Sequence, residues 1–175
     1  ERLVQAWLRH QASLKQVVEH FQLQAGDYDR EEDRVFFQAC QRILECLDRH
    51  NFDQPGRRAT GVRLLPQLFA RADGEAPYSV FFVRGRGYQG FHVRFQDVAR
   101  GGMRLVCPRS LEAHSAESER LFDEAYSLAR AQHLKNKDIP EGGAKAVVLV
   151  APGGDATFAG QTFANSLLDL TLGTP

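Results

Sequence analysis

Apolar side chains recur in threes and fours at the start of the chain and in twos further on, and that change divides the sequence. Leu3, Trp7, His10, Leu14, Val17 and Phe21 fall on one stripe of a predicted helix. His10 sits on that stripe as a packed, hydrogen-bonded residue. Ala25-Gly26-Asp27 breaks the pattern, and a second helix is predicted from Asp29, with Glu32 in capping-box position. Phe36, Cys40, Ile43 and Leu47 make its apolar stripe. It is expected to end near Asn51, ahead of the turn cluster Asp53-Gln54-Pro55-Gly56.

Beyond that turn the period shortens. Thr60–Leu65 reads as a strand stopped by Pro66, and Tyr78–Arg84 as a stronger one centred on Val80-Phe81-Phe82-Val83. In Phe91-His92-Val93-Arg94-Phe95 the odd positions face a core and His92 and Arg94 the other side. A third helix fits Ala116–Leu134, with Glu117 and Glu119 near its positive end and Leu121, Phe122, Ala125, Leu128, Ala129 and Gln132 along one face. Val147–Val150 is a strand buried on both sides. Gly153-Gly154-Asp155 turns the chain into a last helix carrying Phe158, Phe163, Leu167, Leu168 and Leu170. The elements predict an α/β fold: a helical N-terminal segment over residues 1–54, and over 55–175 a layered α/β domain on a mixed sheet.

Composition narrows the function classes. Apolar residues make up 43% and charged residues 25% of 175, as in a globular protein. Twenty-two basic residues balance twenty-two acidic ones, which argues against coating a phosphate backbone. No run approaches the roughly 18 apolar residues of a membrane span. Glu1 opens directly into an amphipathic segment with no initiator Met or signal-peptide pattern, so the chain is expected to be a piece of a longer one. Cys40, Cys46 and Cys107 fit no zinc spacing; no metal site and a reducing, cytoplasmic setting are expected.

Candidate chemistry gathers in two stretches. Ala99-Arg100-Gly101-Gly102-Met103-Arg104 and Lys135-Asn136-Lys137-Asp138-Ile139-Pro140-Glu141-Gly142-Gly143-Ala144-Lys145 each hold a Gly-Gly pair with a cation two positions beyond it. Paired glycines permit close backbone approach or positive φ, and a cation at the edge can meet a carboxylate or phosphate. Lys145, at the mouth of an apolar strand, suits acid, base or nucleophile work, although from spacing alone a solvated strand-edge lysine is the simpler reading. The second stretch is not a Walker loop, since the first Gly, the spacer and the Ser/Thr are missing. Gly85, Gly87 and Gly90 fit G-x-G-x-x-G, but a β-like segment follows where a dinucleotide site needs a helix. Arg86 to Phe95 interleaves arginines with aromatics, loosely like an RNA-stacking sheet; zero net charge opposes it, and Arg84, Arg86 and Arg94 read as a solvated face.

Phe91–Phe95, Val98–Arg104 and Leu134–Lys145, in that order, resemble the long-subunit NAD-dependent glutamate dehydrogenases over roughly Thr60 to Leu172. The resemblance implies an amino-acid-dehydrogenase-like substrate domain, itself incomplete, in an enzyme that oxidatively deaminates L-glutamate to 2-oxoglutarate and ammonia. It implies that Arg100 meets the substrate's side-chain carboxylate, that Lys135 holds the α-carboxylate, and that Lys145 is the catalytic lysine. Gly101, Gly102, Met103, Gly142 and Gly143 would shape the approach. NAD would be bound mainly by a nucleotide-binding domain absent from this chain, and a homo-oligomer is expected, with no membrane or nucleic-acid partner. Ala146 replaces the family's usual Gly, Lys137 rivals Lys135, and Asp155 and Asp169, the only downstream carboxylates, do not lie in the setting of the family's catalytic aspartate. A non-catalytic or regulatory copy, a dehydrogenase for another amino acid, and RNA binding stand as alternatives.

Overall fold

A computed structural model describes residues 31–52, 54–69, 75–135 and 138–172. The first predicted helix, its His10, the break at Gly26, the start at Asp29, and Lys137 lie outside the described residues. The chain divides into two units, Glu1–Leu47 and Asp48–Pro175.

In the first unit a helix, α1, covers Glu31–Glu45, with Glu31, Glu32 and Asp33 in its first turn and Arg42 in its last, a charge order that suits the helix dipole. Phe36 and Ile43 of its stripe are exposed and Cys40 half-buried, so the stripe forms no closed core among the described residues. The helix ends before Asn51, the expected limit. Leu47–His50 is instead strand β1, beside β2 (Ala59–Leu64). The cause is the fully buried Asn51. Its Oδ1 accepts the Gly61 N–H at 2.7 Å and its Nδ2 donates to the Ala59 carbonyl at 3.3 Å, holding the chain against β2.

The second unit continues through a short 3-10 turn (Pro66–Phe69), β3 (Ser79–Gly85), β4 (Tyr88–Arg94), β5 (Ala99–Arg100), β6 (Met103–Val106), helix α2 (Leu111–His133), β7 (Gly142–Val150) and helix α3 (Ala156–Leu172). Among the described residues the sheet has seven strands in the order β1-β2-β3-β4-β7, with β5 and β6 on the far side of β7. From β2 to β7 neighbours are antiparallel, whereas β5 and β6 run parallel to β7, so the sheet is mixed as expected. Arg86-Gly87 closes the β3–β4 hairpin, and Gly87 takes φ +74°, which is why a glycine stands there.

One helix covers each face. Val80, Val93, Phe95, Val147 and Leu149 pack under Leu121, Ala125, Tyr126 and Ala129 of α2. Phe81, Val83, Tyr88, Ala146, Val148 and Val150 pack under Ala159, Phe163 and Leu170 of α3. Each such Val or Leu contributes roughly 1.5–3 kcal/mol by leaving water. Two boundaries differ from the predicted ones. Helix α2 begins at Leu111, ahead of Ala116, because the Ser110 hydroxyl caps it by accepting the Ala113 N–H at 3.2 Å. Strand β7 begins at Gly142, ahead of Val147, because the glycine pair is itself hydrogen-bonded into the sheet.

Candidate functional site

β7 carries the site because its two faces meet different surroundings. Val147 and Leu149 point to α2, Ala146 and Val148 to α3, so Lys145 stands on the α2 face by strand alternation. There it lines a hollow of about 450 Å³. The sheet side of that hollow is Gly101, Gly102, Ala144 and Lys145; the helix side is Leu128, Ala131, Gln132 and, just past α2, Lys135. Two of the three cations singled out in the sequence therefore share one hollow, together with one of the glycine pairs.

Arg100 is engaged elsewhere. Its Nη2 donates to the carbonyls of Gln132 (2.9 Å) and Lys135 (3.0 Å), and its Nη1 to that of Glu141 (2.8 Å). The Glu141 carboxylate lies 3.8 Å from Nη1, and the Arg100 side chain is 15% exposed. A guanidinium on the free carbonyls at a helix C-terminus satisfies acceptors that the helix leaves open and opposes the negative end of its dipole. Arg100 thus ties β5, the end of α2 and the start of β7 together. The resemblance implies that this guanidinium meets the substrate's side-chain carboxylate; here its hydrogen bonds go to main-chain carbonyls.

Three of the four glycines are required by backbone packing. A Cβ on Gly101 would lie 1.7 Å from the Ala144 carbonyl oxygen, one on Gly142 2.6 Å from the Gln96 Cβ, and one on Gly143 2.0 Å from the His133 nitrogen. Gly142 and Gly143 are buried and do not line the hollow. Gly102 differs: nothing lies within 4 Å of the Cβ it lacks, and it borders the hollow. None of the four takes positive φ. Met103 is paired with Ala146, so it belongs to the α3 side of the sheet and does not border the hollow either.

Ala146 is buried toward α3, on the opposite side of β7 from Lys145, so its methyl group does not crowd the hollow. Asp155 caps α3, its Oδ1 accepting the Phe158 N–H at 2.9 Å. Asp169 pairs with Arg57 at 2.6 Å. In the Arg/aromatic stretch, Phe91 packs on Phe122 and Phe95 on Tyr126, so these rings serve the core and do not form a base-stacking surface. Sequence reasoning missed Leu128, Ala131 and Gln132 as hollow-lining residues, although Ala131 and Gln132 stand three and four residues after Leu128 and so share one helical face with it. It missed His133 and Glu75 as well. The His133 Nδ1 accepts the Gly143 N–H at 3.2 Å, and its Nε2 lies 3.6 Å from the Glu75 carboxylate.

No family model matches the chain. It is 46% identical over 131 residues to the NAD-specific glutamate dehydrogenase of Saccharomyces cerevisiae, a match covering 71% of this chain and 12% of the relative. It is 38% identical over 149 residues to the NAD-specific glutamate dehydrogenase of Neurospora crassa, covering 83% and 14%. Glutamate dehydrogenase 2 of Dictyostelium discoideum is 37% identical over 147 residues, covering 82% and 14%. The chain thus spans 12–14% of the length of these relatives. By this similarity the chain belongs with the NAD-specific glutamate dehydrogenases, matching one stretch of them.

Proposed function

We propose that the protein carrying this chain catalyses the NAD-dependent oxidative deamination of L-glutamate to 2-oxoglutarate and ammonia, and that the hollow between α2 and β7 receives the substrate. The observation that carries this reading is Lys135 and Lys145 on a single hollow beside the open backbone of Gly102. Lys135, exposed and just past the helix end, takes the α-carboxylate by a charge-assisted hydrogen bond. Lys145, on the rigid strand, directs its Nζ at the α-carbon substituents. As an amine it takes a proton from the attacking water, and as the ammonium so formed it polarises the developing carbonyl. Arg100 acts through Lys135 and Glu141, whose carbonyls it holds; direct contact with the substrate would require it to release them.

NAD supplies the hydride acceptor in such an enzyme. Gly85, Gly87 and Gly90 do not offer it a site, because they belong to a β-hairpin; among the described residues no G-x-G-x-x-G turn leads from a strand into a helix. Ala146, the alanine in place of the family's usual glycine, faces the other side of β7, which supports a hollow open to substrate.

The test is NADH formation by the natural protein with glutamate, aspartate and leucine in turn, and with Lys145→Met. Saturable turnover with glutamate is expected, reduced about a thousand-fold or more in the variant, as when a group acting on the reacting atoms is removed. Preference for another amino acid would refute the substrate, and native turnover in Lys145→Met would remove that residue from the chemistry.

A further inference from the structure

The end of α2 and the start of β7 meet at a polar contact between His133 and Gly143. The β4 ladder reaches Arg94, opposite Ala144. One residue further the pairing is half made: the Phe95 N–H donates to the Gly143 carbonyl at 3.0 Å, but the N–H of Gly143 goes to the imidazole Nδ1 at 3.2 Å. A side chain thus completes the strand's hydrogen bonding where its neighbour strand ends. The ring is held by stacking on Phe95, with centroids 5.2 Å apart and planes 16° from parallel. Accepting the Gly143 N–H requires a lone pair on Nδ1, which puts the ring proton on Nε2, the nitrogen 3.6 Å from the Glu75 carboxylate.

The position of this contact gives it consequence. His133 stands two residues before Lys135, and Gly143 two residues before Lys145. We propose that His133 is a positioning residue: its imidazole, protonated on Nε2, fastens the Lys135 segment to the Lys145 strand through the Gly143 amide and sets the separation of the two lysine side chains. This rests on the reading of their shared hollow as the substrate site. The backbones leave little slack, since even a methyl group on Gly143 would strike the His133 nitrogen and the Ala129 oxygen. His133→Leu removes the acceptor, whereas His133→Asn places a carbonyl oxygen close to where Nδ1 was.

The experiment uses the natural protein, with ¹⁵N shifts of the His133 ring, hydrogen exchange of the Gly143 amide, and glutamate kinetics. The expected results are an unprotonated Nδ1, a protected Gly143 amide that becomes exposed in His133→Leu, and a kcat loss of about ten- to a hundred-fold there, the scale of a misplacement near 1 Å, largely restored in His133→Asn. A proton on Nδ1, or unchanged Gly143 exchange and kcat in His133→Leu, overturns the proposal. The ring tautomer is read on the wild-type protein, so the outcome does not depend on a variant folding. Absence of glutamate turnover would sink the proposed function, while the tautomer and exchange measurements still decide the His133 contact.

Discussion

The two Gly-Gly pairs look alike in the sequence and behave differently in the fold. They lie side by side, Arg100 opposite Gly143, with Ala99 and Met103 keeping the same offset to β7 on either side of the first pair. In the second pair both glycines are pressed against other parts of the molecule, Gln96 for Gly142 and the last turn of α2 for Gly143. The first pair is split. Gly101 lies against the Ala144 carbonyl, and Gly102 opens on the hollow. A doubled glycine therefore marks backbone crowding at three positions and an open approach at one. The strand beside them shows a similar division, with Lys145 toward the hollow and Ala146 in the opposite core, in register with the buried His92.

The largest effect expected from this contrast is that of Gly143→Ala or Gly101→Ala. Either methyl group would press on backbone atoms, so a loss of about 3 kcal/mol or more in urea unfolding is expected. A loss under about 1 kcal/mol would erase the distinction between the glycines. The reverse side of the sheet gives the next effect. Burial first, and Arg94 second, hold the folded His92 at a pKa of about 4, below its ordinary 6.5. As pH falls through 6.5 the unfolded chain takes up the proton and the folded one does not. Stability is thus complete above that pH and drains away down to about 4, by a total of roughly 3 kcal/mol. His92→Phe should flatten that part of the stability profile; an unaltered slope would assign it to other groups.

Arg100→Gln is expected to cost about 2 kcal/mol, the scale of charge-assisted bonds to carbonyls, and to raise KM moderately by loosening Lys135. Unchanged stability with a steep rise in the glutamate KM would instead show a guanidinium free to bind substrate. The smallest effect belongs to Gly102→Val. Unfolding should stay within about 0.5 kcal/mol of wild type, because the side chain enters open space, while substrate KM rises by about ten-fold. A large loss of stability there would put Gly102 with the other three.

How far the sequence could be read follows the range of the forces involved. Val147–Val150 and the alternation through Phe95 were legible because burial on fixed faces writes a period into the chain. The start of β7 was not, since glycines weaken strands locally and only pairing with β5, helped by the Phe95 N–H on the Gly143 carbonyl, keeps them in one. Leu47 continued a helical spacing, yet the Asn51 clamp to Ala59 and Gly61 drew Leu47–His50 into the sheet. In the site, the two lysines were visible as charges beside glycines. Whether Arg100 is free was not, because its acceptors, Gln132, Lys135 and Glu141, lie 32 to 41 residues away. The His133 contact was hidden for a different reason: it replaces a ladder bond, and a missing bond leaves no mark in sequence.

Helix α2 joins β6 to β7 as a crossover between parallel strands, seated on Val147 and Leu149 through the small, fully buried Ala125 and Ala129. The width of the hollow is therefore written into two methyl groups that do not line it. Enlarging either one would lift the helix off the sheet and widen the hollow, so its dimensions are set from the hydrophobic interior.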